Sequence, residues 1–369
     1  MASESDVIRL TADLVSIKSD GLKDGEKEVA KYIHDYIRDS GFKSELIEFA
    51  KNRCNVVAEI GRGEGLMLNG HMDTVPLGDT SKWKYQHGKV VNGRLYGRGA
   101  SDMKGGIAVI LAALRDLKMQ RPKRRLLLAF VADEELSLAG STYLLKNRKK
   151  LFNKVRYGII TEPTDLHIDL AQKGAMDIKL SVKGRSAHSS RPQLGRNAIV
   201  DMSRAVLAID SLSRGLKVRD SMLGRGSLSV GRISGGLATN IVPDRCEITF
   251  DRRLVPGEDL QGAISQIRRA LDPLHIDYRL EVLFGKMPYK LPTSSYIARL
   301  VRSATGCGFG ISTGYTEAEL YNSMAGIDCL IFGPGTKRSI HEPNEYISTA
   351  SLLKGRRYMA GIMNRWVNR

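Results

Sequence analysis

Two histidines and several carboxylates stand where apolar runs of the chain stop. His71 and Asp73 follow the run at 66–68, Asp133, Glu134 and Glu135 follow 126–131, and Glu162 follows Ile159-Ile160. His341 lies a few residues beyond the run ending at Phe332, and Asp102 sits in a glycine-rich stretch, GRGASDMKGG (97–106), just before a helical pattern. In an open parallel sheet, ligands collect beyond the carboxyl ends of the strands, so these side chains would converge on one crevice. Two imidazoles with several carboxylates suit a divalent ion such as zinc, held through nitrogen and oxygen. A carboxylate bridging two ions is the economical way to hold them ~3.5–4 Å apart. Singly, each residue has an ordinary explanation as a core or surface histidine, a helix cap or a loop charge. Their shared placement at successive strand ends gives them weight.

The elements that must position these residues are also legible. Val29, Tyr32, Ile33, Tyr36 and Ile37 recur at helical spacing, with Gly41 as a stop. From residue 55, strand-like runs at 55–60, 66–68, 126–131 and 158–160 alternate with helical patterns at 105–117 and 138–145, which implies βαβ units and a largely parallel sheet. Near residue 174 the texture changes. Met176, Ile178, Leu180 and Val182 alternate with polar residues, a helix follows at 197–212, strands at 226–232 and 245–253, a helix at 259–271 and a strand at 276–283. That is the β-α-β-β-α-β order of a split βαβ sandwich. The expected fold is therefore α/β: a mixed, largely parallel sheet flanked by helices, from residues 1–174 and 287–369, with an inserted α+β domain at 175–286.

A length of 369 residues fits about two domains. No stretch approaches the ~20 apolar residues of a membrane span, and the start lacks the blocks of a signal peptide, so a cytoplasmic protein with no membrane partner is expected. Cys54, Cys246, Cys307 and Cys329 are scattered without CxxC spacing and read as reduced thiols. The net charge of +17 is spread along the chain without a nucleic-acid motif, so nucleic acid is not the expected partner and anionic small molecules are the alternative.

Taken together, GHMDTVP (70–76), GRGASDMKGG (97–106), Asp133-Glu134-Glu135, Thr161-Glu162-Pro163 and His341-Glu342-Pro343 resemble the co-catalytic zinc amidohydrolases and metallopeptidases. That superfamily includes acetylornithine deacetylase, succinyl-diaminopimelate desuccinylase, aminoacylase and the glutamate carboxypeptidases. The resemblance runs from about residue 5 to the end and implies a zinc-exopeptidase-like fold with a ferredoxin-like lid and dimerisation domain. It implies two zinc ions per subunit, with cobalt as a substitute. Asp102 would bridge them, with His71 and Glu162 on one ion and Glu135 and His341 on the other. Glu134 would be the general base and Asp73 the orienting partner of His71. A carboxylate on the far nitrogen of a metal-bound imidazole fixes its tautomer, which His-x-Asp on one face of an extended chain supplies. Adjacent glutamates cannot share one task, so one can bind metal while the other faces the attacking water.

GRSAHSSRP (184–192) looks like the family's small-domain loop, which implies that His188 stabilises the tetrahedral oxyanion, in dimeric members at the neighbouring subunit's site. ATNIVP (238–243) and FDRR (250–253) match segments that hold the substrate's carboxylate, implying roles for Asn240 and an arginine. Strand alternation places Arg253 with Thr249 and Asp251, opposite Cys246, Ile248 and Phe250, and makes it the better bidentate clamp, with Arg252 the neighbour to test. GYTEA (314–318), with Thr316 facing substrate, replaces a Gly-Gly-Thr-Ser-Asp-like loop; tyrosine stands for glycine and glutamate for aspartate, so acyl preference does not carry over. The expected activity is hydrolysis of the amide of an N-acyl amino acid by a di-zinc-activated water. The alternative is a metallocarboxypeptidase or dipeptidase acting on small peptides with a free carboxyl terminus. A homodimer through the inserted domain is expected.

Overall fold

The computed structural model describes residues 5–118 and 123–368. They form two compact units, one of residues up to Leu170 with Leu291–Gly310 and Thr316 onward, the other of Ala171–Lys290 with Ile311–Tyr315. The divisions fall at 170/171 and 290/291 rather than at 174/175 and 286/287. Tyr289 and Lys290 pair antiparallel with Gln172 and Ala171, and Ala171 packs with Leu223, Val255 and Ile311, which ties these residues to the second unit.

In the first unit, the strand Gly65–His71 lies between the parallel strands Arg125–Val131 and Val155–Ile160, and Asp328–Ile331 extends the parallel set. Arg53–Ile60 adds antiparallel beside Arg125–Val131, and Glu45–Ala50 beside that. The sheet is mixed with a parallel centre. Every residue of Gly65–His71 is buried, as a strand covered on both faces requires. Each of its large apolar side chains, Leu66, Met67 and Leu68, contributes about 1.5–3 kcal/mol by burial.

The helix Gly105–Leu114 is buried at all ten positions and packs against Ser5–Ser16 and Thr349–Val367. It ends three residues before the expected limit; beyond it Asp116 turns to meet Arg356, at 2.8 and 3.0 Å. Its glycine start has a steric cause. A Cβ on Gly106 would sit 2.2 Å from the Thr161 carbonyl oxygen, so only glycine lets the helix start rest on the end of Val155–Ile160.

The second unit has a four-stranded antiparallel sheet in the order Ser227–Gly235, Arg245–Leu254, Gly174–Lys183, Asp277–Lys286. Helices Ala198–Arg214 and Leu260–Leu271 complete the β-α-β-β-α-β order. Met176, Ile178, Leu180, Ile248 and Phe250 form its core with Met202 and Ile267. Among the described residues, no helix is long and apolar enough to cross a membrane.

Candidate metal centre

Three strand ends deliver the site. His71 closes Gly65–His71, Glu162 follows Val155–Ile160, and Asp133-Glu134-Glu135 follow Arg125–Val131. The backbone locks these exits together: Met72 N donates to Val131 O (2.8 Å), and Thr161 N and Oγ1 both donate to Asn69 O (3.0 Å each). Asp102 comes from the turn 100–104, and His341 from the loop after Asp328–Ile331, with a left-handed backbone (φ 63°).

The ligand atoms converge as two groups that share Asp102. His71 Nε2 lies 3.1 Å from Asp102 Oδ1 and 3.6 Å from Glu162 Oε1. His341 Nε2 lies 3.2 Å from Asp102 Oδ2 and 3.2 Å from Glu135 Oε1. Within each group, His71-Asp102-Glu162 and Asp102-Glu135-His341, one ligand atom per residue falls within 4.8 Å of the others.

The electrostatics fit cations here. Burial pushes Glu162 and Glu134 well above the usual carboxylate range; Asp102 adds most among the charges raising Glu162, and Glu135 among those raising Glu134. Burial alone would lower His71, but its hydrogen bond to Asp102 and the nearby Asp73 and Glu162 carboxylates hold it well above its ordinary value. Asp102 and Glu135 push His341 up to about 10. The histidines thus hold protons where divalent ions would neutralise the carboxylate excess, and the N/O donor set suits such ions. The two groups provide for two metal ions.

Asp73 is fully buried, and its task is broader than the sequence implied. Its carboxylate lies 3.6 Å from His71 Nδ1, but the closer partner of that nitrogen is the Asp73 carbonyl oxygen, at 3.0 Å. The carboxylate oxygens instead accept from the backbone N–H groups of Glu134 and Glu135, each at 3.0 Å. Asp73 therefore sets the position of both glutamates.

Two neighbours were given no role by the sequence reading. Glu345, fully buried, accepts from the N–H groups of Ser101 (3.0 Å) and Asp102 (3.1 Å) and from Arg98 Nη1 (2.8 Å), so the loop that carries His341 also anchors the turn that carries Asp102. Glu317, also buried, accepts from Ser141 Oγ; Ser141 and Asn69 each lie 3.0 Å from Tyr321 Oη, and burial pushes Glu317 up to about 7. Thr316, expected against substrate, is 3% exposed, and its Oγ1 accepts from Ala318 N (3.3 Å) at the start of the helix Ala318–Ala325.

The remaining expected residues lie in the second unit. His188 is exposed and its segment faces that of Asn240: it bridges Ile241, and Ser189 N donates to Asn240 O at 3.0 Å. Ser190 N donates to His188 Nδ1 (3.2 Å), which leaves the neutral ring's proton on Nε2. Arg253 Nε already donates to Asp251 Oδ1 at 2.9 Å on the same strand face. Arg252 points into the core instead and is 0% exposed.

Fold and site together define a metal-dependent hydrolase. The chain belongs to peptidase family M20/M25/M40, which it matches over residues 67–365. Among solved structures it is similar to a metallo-carboxypeptidase of the M20 family from Sulfolobus solfataricus, at 21% identity and a TM-score of 0.82 over 100% of both chains. It is likewise similar to a tripeptidase from Staphylococcus aureus, at 22% identity and a TM-score of 0.81 over 100% of both chains. A dinuclear metal-binding peptidase of the M20 family from Bacillus subtilis shares 16% identity and a TM-score of 0.75, over 99% of this chain and 98% of that one.

Proposed function

We propose that the protein hydrolyses the amide bond of a small substrate bearing a free carboxylate, using two zinc ions for which cobalt can substitute. The observation that carries the reading is Asp102, whose two carboxylate oxygens each face a different histidine within 3.2 Å. His71 and Glu162 would hold one ion, Glu135 and His341 the other, and Asp102 both. Bound there, the ions would acidify a water and polarise the scissile carbonyl.

The chain's own groups do the rest. Glu134, held by Asp73 through its backbone N–H, takes the proton of the attacking water and returns it to the leaving amine. Its burial favours the protonated form, which suits the second transfer. We assign to His188 Nε2–H the donation to the developing oxyanion, and to Asn240 and Arg253 the substrate's carboxylate.

The family match and the peptidase names of the similar structures support a short peptide with a free carboxyl terminus ahead of an N-acyl amino acid, the reverse of the order drawn from the sequence. The test is turnover of carboxyl-terminal dipeptides and tripeptides against acetylornithine, succinyl-diaminopimelate and other N-acyl amino acids, with zinc or cobalt added. Peptide turnover exceeding that of every acylated amino acid is expected; exclusive deacylation overturns the order, and no turnover of either class overturns the reading. We also infer a homodimer through the second unit. There Ser227–Gly235 is an edge strand, and Val200, Leu207 and Ile233 are 53–68% exposed. Light scattering should give twice 40.7 kDa, and a mass of one chain overturns the dimer.

A further inference from the structure

Behind the loop that continues from Asp73, the first unit contains a second concavity of about 630 Å³, lined by residues 15–20, 74–78, His87 and Lys104 among others. Its volume falls in the ~300–1,000 Å³ range of small-molecule sites, and it contains none of the metal-ligand residues.

Two polar groups at its wall are short of partners. Lys104 is 1% exposed, and its ammonium has three N–H donors but one hydrogen-bond acceptor among the described residues, Ile17 O at 2.7 Å. Burial lowers its pKa to about 7, opposed only through space by Glu345, Asp73 and Asp24. Ser19 is 2% exposed, and its Oγ has no hydrogen-bond partner among the described residues. Buried donors without acceptors cost free energy unless a ligand or water supplies the acceptor.

Arg98 is matched by Glu345, and Lys18 and Lys23 stand against Asp20 and Asp24, so the balance is positive when Lys104 holds its proton, as it would against a bound carboxylate. After burial itself, the fields of Lys104, Arg98 and Lys18 hold His87 below its ordinary value. Val15, Val75, Pro76 and Leu77 supply apolar lining.

We propose that this cavity is a binding site for a small organic anion with a carboxylate head and a short apolar body, separate from the metal crevice. The carboxylate accepts from Lys104 and Ser19, and the body lies on Val75, Pro76 and Leu77. Such a ligand would also brace the loop that begins at Asp73, since Thr74 N donates to Ser19 O (2.9 Å) and Gly21 N to Thr74 O (3.2 Å).

Trp83 offers a local reporter. Its Nε1 donates to Leu77 O (3.0 Å) and its ring lies 4.6 Å from that of His87, whereas the other tryptophan, Trp366, is fully buried among Tyr157 and Tyr296. Titrating the metal-loaded protein with hexanoate should give a saturable change in Trp83 emission, and hexanamide and inorganic phosphate should give none. Lys104→Met should weaken hexanoate about tenfold or more, and Ser19→Ala about threefold, as the loss of a charge-assisted and a neutral hydrogen bond implies. Absence of saturation, equal binding of hexanamide or phosphate, or unchanged affinity in Ser19→Ala and a folded Lys104→Met protein overturns the proposal. Should Lys104→Met fail to fold, the hexanamide comparison and Ser19→Ala still decide it.

Discussion

Arg252 and the crevice around Asp102 are two places where this protein buries charge, and they are built on different terms. Arg252 is 0% exposed on a core-facing position of Arg245–Leu254, and its guanidinium meets Glu258 and the Arg253 carbonyl. The other Glu258 oxygen accepts from Val255 N at 3.0 Å. One cation meets one anion, the backbone and Gln266 Oε1 take up part of the rest, and Arg252 Nε has no hydrogen-bond partner among the described residues. In the crevice, among the described residues, the carboxylates of Asp73, Asp102, Glu134, Glu135 and Glu162 outnumber the cationic side chains within ion-pair distance of them, His71 and His341. A balanced buried pair needs nothing from outside; an excess of carboxylate calls for a cation. Balance, more than burial, separates the structural cluster from the reactive one.

The comparison breaks first at Glu134. Glu134→Ala should lower kcat about 10²–10⁴-fold, with metal content and Tm close to those of the parent, because Glu134 belongs to neither metal-ligand group and serves proton transfer. Turnover at the parent rate would assign the base to another group. At Arg252 the loss should be of stability: Arg252→Met should cost about 3–5 kcal/mol in denaturant unfolding, since it strands the Glu258 carboxylate. Arg252→Met with Glu258→Leu should recover most of that, because a balanced pair can be removed whole. A double variant as unstable as the single one would show that Arg252 does more than balance charge.

How much of this was legible beforehand follows from the range of each signal. The side chains that converge on Asp102 stand in short motifs at strand ends, and strand alternation put Cys246, Ile248 and Phe250 on the core face, where they are 1–2% exposed. The same alternation places Arg252 on that face, which its charge had obscured. Glu345 was missed because its hydrogen bond to Asp102 N spans 243 residues and no periodicity marks it. His-x-Asp showed that the two residues would be neighbours, but spacing does not say which atoms meet, and the Asp73 carboxylate turned to the Glu134 and Glu135 amides. The helix Ser5–Ser16 was readable in principle, with Val7, Leu10, Leu14 and Val15 buried at helical spacing, and went unread beside the stronger pattern at 29–37. Thr316 was placed by motif likeness alone, and the motif does not encode the hydrogen bond its Oγ1 accepts from Ala318 N.

Between the balanced and the unbalanced cluster lies Arg53, one guanidinium shared by two buried carboxylates. Its Nε is 2.9 Å from Glu26 Oε2, close but without hydrogen-bond alignment, while Nη2 pairs with Asp133 and Nη1 donates to Gly21 O at 2.7 Å. Burial, helped by Asp73 and opposed by Arg53, pushes Glu26 up to about 7 from 4.5. Between those values the folded protein holds a proton that the unfolded chain has released. Stability should therefore fall as pH rises from about 4.5 to 7 and level off above, by an amount on the order of 3 kcal/mol. Glu26→Gln stays neutral throughout, so it should flatten this slope and raise Tm at pH 8 relative to the parent, while changing little at pH 5. If thermal unfolding instead shows Glu26→Gln losing as much stability at pH 8 as at pH 5, Glu26 is ionised against Arg53 throughout. Arg53 would then balance both its carboxylates and group with Arg252 rather than with the crevice.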